Sequence, residues 1–190
     1  FKVTKQSAPT GTWASGANVN TTRELLAGWG TDNTTAGIAG GNTAPGPSVA
    51  NTELYNGSAW TETSDLNQAR GAICGTGLYT AGIAVGAYPP AQGDKVELWD
   101  GSNWTETTEI NTARGYACVS GTNTACILIG GYSNPPTQRY AICEKWDGSS
   151  WTEIGDLNTG RPGAGAAAGA PVTDTVAWGG YAGSPLTQQV

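Results

Sequence analysis

The stretch WTETTEINTAR, residues 104–114, has close copies at 60–70 (WTETSDLNQAR) and 151–161 (WTEIGDLNTGR), and a worn one at 13–23 (WASGANVNTTR). A chain that writes one phrase four times in phase is constrained to build one structural unit four times. Trp13, Trp60, Trp104 and Trp151 are each followed seven residues later by Asn20, Asn67, Asn111 and Asn158, and three residues after that by Arg23, Arg70, Arg114 and Arg161. About 17 residues beyond each Arg, an apolar run such as AGIAVGA or ACILIGG ends on a small pair: Gly40-Gly41, Gly86-Ala87, Gly130-Gly131 and Gly179-Gly180. Such runs read as buried strands. Glu53, Glu97 and Glu144 stand seven residues before three of the Trp residues, with Asn56-Gly57, Asp100-Gly101 and Asp147-Gly148 between them. Asn-Gly and Asp-Gly are strong hairpin signals, which predicts turns with both central residues at positive φ.

The Trp-to-Trp period of 47, 44 and 47 residues, with no helical pattern, falls in the range of propeller blades. Each unit reads as four antiparallel strands: one after the Arg, a second ending on the small pair, a third carrying the Glu, and a fourth starting at the Trp. The Gly-Gly doublet followed by an aromatic residue and then a Trp after a short turn resembles the kelch repeat. The wording Trp-Thr-Glu with Leu-Asn-Thr-Ala-Arg after it resembles kelch-like arrays of bacteriophage tail and virion proteins and of marine bacterial surface proteins. The expected fold is therefore all-β: one domain over 1–190, a four-bladed kelch-like β-propeller. Its units run at approximately 13–59, 60–103, 104–150 and 151–190 plus 1–12. The alternating segment FKVTKQ, residues 1–6, is expected to pair into the last blade near 175–179 and close the ring; the rival is a slice of a longer array.

Composition removes several function classes. The net charge is −6 and the nine Lys and Arg are scattered, so no basic surface attracts nucleic acid or anionic lipid. No apolar run reaches the roughly 20 residues that span a bilayer, so no membrane insertion is expected. The chain has no His, which removes His-dependent nucleophilic catalysis and His-ligated zinc or copper. No metal and no cofactor are expected. The acidic pairs Glu62/Asp65, Glu106/Glu109 and Glu153/Asp156 recur at one offset in successive units and decorate each rim instead of meeting in one cleft. The expected protein is not an enzyme.

Four sets of residues carry the remaining possibilities. The four Trp are read as packing between neighbouring units, with sugar stacking as the sharper alternative. Arg23, Arg70, Arg114 and Arg161 ring the channel mouth. They are candidates for an anionic ligand or, more plainly, for structural pairing with Glu53, Glu97 and Glu144. The loops NTAPGPS, YPPAQGD, YSNPPTQ and YAGSPLTQ are expected on that same face, with Tyr88, Tyr132 and Tyr181 around the mouth as the candidate binding surface. A hairpin centred on Thr122 is expected to set Cys118 opposite Cys126, with Cys143 beside them. One cross-strand disulfide is an alternative to free buried thiols.

The expected function is a non-enzymatic structural or adhesive module of an extracellular assembly, such as a virion or tail component. Its partner is a protein or glycan surface, and it assembles into a larger particle or oligomer. The alternatives are a glycan-processing enzyme using carboxylates and an intracellular kelch-type adaptor.

Overall fold

The computed structural model describes residues 16–168, 172 and 175–183. The described residues form an all-β protein of small antiparallel sheets. The first sheet is β1 (Ala27–Asp32), β2 (Thr35–Ala39), β3 (Thr52–Tyr55) and β4 (Trp60–Thr63); the second is β5 (Cys74–Leu78), β6 (Ala81–Val85), β7 (Val96–Trp99) and β8 (Trp104–Glu106). In the third, β9 (Cys118–Gly121) and β10 (Cys126–Ile129) are followed by a small hairpin, β11 (Tyr132–Ser133) and β12 (Gln138–Arg139), before β13 (Cys143–Trp146) and β14 (Trp151–Ile154) complete it. The fourth is the pair β15 (Ala164–Ala168) and β16 (Thr175–Gly179). Each complete sheet runs in the order read from the sequence, with the Glu strand third and the Trp strand last. The repeated phrase thus begins on the last strand of one sheet and ends at the entrance to the next. Residues 1–12 and Trp13, on which the ring-closing strand was expected, lie outside the described residues.

Hairpins between the third and fourth strands close on the register pairs Tyr55↔Trp60, Trp99↔Trp104 and Trp146↔Trp151. The turns differ from the expected pair of positive-φ residues. Only the glycines adopt that region, with Gly57, Gly101 and Gly148 at φ 91, 98 and 97°. The Asn or Asp before each glycine works through its side chain, because a four-residue loop leaves two backbone N–H groups for its oxygen to accept. Asn56 accepts from Ser58 and Ala59, Asp100 from Ser102 and Asn103, and Asp147 from Ser149 and Ser150. Donation from the Ser150 and Ser149 backbone holds the Asp147 carboxyl well below the usual range, and Asp100 is lowered in the same way. A carboxyl lowered on folding stabilises fully above its unfolded value, near 3.8, and that contribution is lost as pH falls through the folded value. Asp147→Ala is therefore expected to flatten the acid decline of urea-unfolding free energy below about pH 4. An unchanged pH slope would remove this role.

Successive sheets pack through their first strands, β1 on β5, β5 on β9 and β9 on β15, while β15 and β1 form no such packed pair among the described residues. Small residues allow the approach: a Cβ on Gly75 would come within 2.9 Å of the Ala27 methyl. The cores lie between sheets. Trp29, Ala39 and Leu66 cluster with Trp99 and Trp104 of the second sheet. Val85, Val96 and Ile110 cluster with Trp146 and Trp151 of the third. Ile127, Ile129, Cys118 and Cys143 cluster with Val172. Burying one Trp removes on the order of 150–250 Å² from water, so the first two seams are anchored by their indoles.

The cysteines are free thiols. Their register departs from the expected one: Cys126 faces Gly121 and Trp146, while Cys118 and Cys143 both flank Ile129. The turn between β9 and β10 spans 122–125, which shifts the pairing and leaves Cys118 and Cys143 separated by a whole strand. That separation is roughly 10 Å between backbones, too far for a disulfide. Burial pushes the Cys118 and Cys126 thiols up to about 11 and about 12.

Candidate functional site

Arg23, Arg70 and Arg114 are structural. Arg70 pairs with Glu97 at 2.8 Å, and Arg23 and Arg114 pair with Glu53 and Glu144, all with side chains at most 1% exposed. The Asn of the phrase completes the arrangement. The backbone N–H and side-chain amide of Asn67 both donate to Glu97, each at 2.8 Å, while the amide also reaches the Trp104 carbonyl. Asn111 does the same to Glu144 and Trp151, and Asn20 donates to Glu53 and to the Trp60 carbonyl. Each Glu on the third strand is thereby clamped by the segment entering its sheet. The pairing set beside an anion site in the sequence reading is the arrangement these three Arg residues adopt, and they are committed to it. Net hydrogen bonding from Asn20, Thr21 and Arg23 outweighs burial and holds the Glu53 carboxyl low.

The same Arg ties its sheet to the one before. The carbonyls of Arg70 and Arg161 accept from Gly41 and Gly131, and that of Arg114 from Ala87. A Cβ on Gly40 would lie 2.7 Å from the Arg70 carbonyl oxygen, and Gly86 and Gly130 face Arg114 and Arg161 in the same way. This contact, together with φ of 63, 76 and 61°, is why the first position of the doublet is glycine. Arg161 differs from the others. Its side chain donates to the Thr159 and Gly179 carbonyls, and it has no carboxylate partner among the described residues.

Trp104 and Trp151 are 6% exposed, and the Trp104 indole N–H donates to the Thr52 hydroxyl of the preceding sheet at 2.9 Å. Trp60 is half-buried against Tyr55, with centroids 5.1 Å apart. These three Trp residues pack; Trp13 lies outside the described residues.

The tyrosines meet. The residue after each doublet pairs with the residue after the Arg of its own unit: Asn42 with Glu24, Tyr88 with Gly71, Tyr132 with Gly115, and Tyr181 with Pro162. All four loops therefore leave from equivalent points. Tyr88, Tyr132 and Tyr181 line a cleft of about 320 Å³ with Tyr116, Arg139 and Pro162. The first unit places Asn42 at the tyrosine position, where it accepts from Ser48.

Tyr116 and Arg139 were not read from the sequence. Tyr116 occupies the second position after the Arg, where Leu25, Ala72, Tyr116 and Gly163 have φ of 58, 53, 53 and 68°. A bulky residue in the left-handed region is uncommon and costs energy unless its surroundings fix it. Here the backbone does so: Ile73, Tyr116 and Gly163 donate to the carbonyls of Leu25, Ala72 and Tyr116 in a relay from sheet to sheet. The glycine at 163 was the available signal. Tyr116 packs on Tyr88 (5.4 Å between centroids) and Tyr132 (6.3 Å), and Tyr88 on Tyr132 (5.7 Å). Burial, then the neighbouring Tyr88 and Glu24, push the Tyr116 hydroxyl up. The Arg139 guanidinium lies 4.9 Å over the Tyr181 ring.

Among the described residues the cleft offers aromatic faces, phenol hydroxyls and one cation, with no carboxylate, thiol or imidazole in its lining. The rim acids are spread elsewhere: Glu62 accepts from Asn51, Glu106 from Gln68, and Glu109 pairs with Lys95. No helix among the described residues is long and apolar enough to cross a membrane. No protein-family model matches the chain, and the curated proteins contain no sequence match to it.

Proposed function

We propose that the chain is a kelch-like β-propeller acting as a non-enzymatic adhesive module, one that holds a glycan in the tyrosine cleft as part of an extracellular assembly such as a virion or tail. The cleft carries this reading. Three half-buried tyrosine rings form an apolar wall suited to the C–H face of a pyranose, while hydroxyls and a guanidinium suit its polar edge. A lining without acid–base partners suits holding better than turnover.

Ring closure by the start of the chain is part of the same proposal. Its support is a gap of about 240 Å³ between the third and fourth sheets, lined by Ile127, Ile129, Cys143, Leu157, Thr175 and Ala177 among others. Ile129, Cys143 and Leu157 are the counterparts of Ala39, Thr52 and Leu66, which cluster with or bond Trp104, and of Val85, Val96 and Ile110, which cluster with Trp151. The gap is the next tryptophan socket, and Trp13 is the remaining Trp of the phrase. Gln6 stands seven residues before Trp13, at the offset of the clamped Glu, and matches an Arg161 that has no carboxylate partner among the described residues.

The test is a glycan array probed with the whole chain, followed by titration of the best ligand. Tyr116→Ala and Tyr132→Ala are each expected to weaken binding about tenfold. Stability should be little changed for Tyr116→Ala, since Ala72 already occupies the equivalent left-handed position. An array with no bound glycan, or tyrosine variants that bind as tightly as the parent, would remove the reading.

A further inference from the structure

Resting on the glycan reading, we infer that the sugar held in the cleft is acidic, its carboxylate seated on Arg139 at the Tyr181 end. Arg139 is set apart from the other arginines. Arg23, Arg70 and Arg114 are buried on carboxylates, and Arg161 is spent on carbonyls. Arg139 is exposed and lines the cleft, and its guanidinium makes no ion pair among the described residues.

Its position is built rather than free. The β11–β12 hairpin carries it, with Tyr132 paired to Arg139 in register, so one wall of the cleft and its cation share a two-stranded frame. Stacking of the guanidinium over Tyr181 limits its rotation and leaves in-plane N–H groups, the fork that matches a carboxylate in two parallel hydrogen bonds.

A uronate ring lying on the Tyr88, Tyr116 and Tyr132 faces brings its carboxylate to Arg139 when that group points toward the Tyr181 end. The overall charge of −6 does not oppose this at physiological salt, where exposed charges beyond roughly 8 Å are screened. The cleft tyrosines present phenol hydroxyls that suit the sugar hydroxyls.

The experiment titrates the intact protein with an oligogalacturonate and with its fully methyl-esterified form, and repeats both with Arg139→Gln. The acid form is expected to bind about tenfold tighter than the ester, and Arg139→Gln to bring the two affinities together by weakening the acid form more than the ester. Equal affinity for acid and ester, or a preference that survives in Arg139→Gln, would overturn the carboxylate inference and leave the glycan reading standing. If neither form binds and the array is also empty, the glycan reading falls and takes this inference with it. Arg139 is exposed, so an unchanged thermal midpoint of the variant checks that a lost preference is not a lost fold.

Discussion

Glu97→Ala is expected to destabilise the protein by about 3–5 kcal/mol, because it strands a buried cation instead of merely deleting a contact. Glu97 is 1% exposed and receives Arg70 and both donors of Asn67. Without it the Arg70 guanidinium keeps only the Gly86 and Lys95 carbonyls, with its Nε already lacking a partner. The measurement is urea unfolding of the single variants and of Arg70→Ala/Glu97→Ala together. The double variant is expected to lose markedly less than the sum of the singles, since removing both charges leaves none unpaired. A strand array of this kind couples each unit mainly to its neighbours, so hydrogen exchange should rise most in the second sheet and at its seams. If Glu97→Ala kept parental stability and instead altered ligand binding, the arginines would have to be reassigned to recognition.

Trp13→Ala is expected to cost a comparable amount, about 3–5 kcal/mol, the usual range for emptying a buried tryptophan site. The expectation follows from the two filled seams. Trp104 reaches Thr52 across one, and the Trp151 indole donates to the Thr108 carbonyl at the next, each against the residue before the doublet and the residue before the Glu. The third seam has the apolar lining, Ile129, Cys143 and Leu157, and lacks an indole among the described residues. The variant should unfold at lower urea with its loss centred on the third and fourth sheets. A midpoint shifted by less than about 0.5 kcal/mol, as for an exposed residue, would mean that Trp13 does not fill the socket.

The sequence carried the strand order because the phrase marks a fixed point in every unit, and the Glu and the doublet stand at fixed distances from it. It carried the convergence of Tyr88, Tyr132 and Tyr181 for the same reason: residues at one offset in successive units land at equivalent points on one face. Other features depended on geometry that spacing does not encode. Arg70 and Glu97 lie 27 residues apart, and only the fold reveals that Asn67 completes their clamp or that the Arg70 carbonyl occupies the space a Cβ at Gly40 would need. Tyr116 stayed hidden because a tyrosine at φ 53° contradicts local preference and is held by a neighbouring sheet. The cysteine register failed on turn length, since placing Gly121 opposite Cys126 moves every later pair. In the Asp-Gly turns the dipeptide was legible, but its mechanism was side-chain acceptance by Asp100 and Asp147.

The proposed ring closure rests on one set of contacts, and nuclear Overhauser effects from the Trp13 indole protons read them directly. Closure predicts cross-peaks to the methyl groups of Ile129 and Leu157 and to the Cys143 β-protons. An indole with none of these cross-peaks and with solvent-exposed exchange would leave the last seam open, and the four sheets would be an unclosed array.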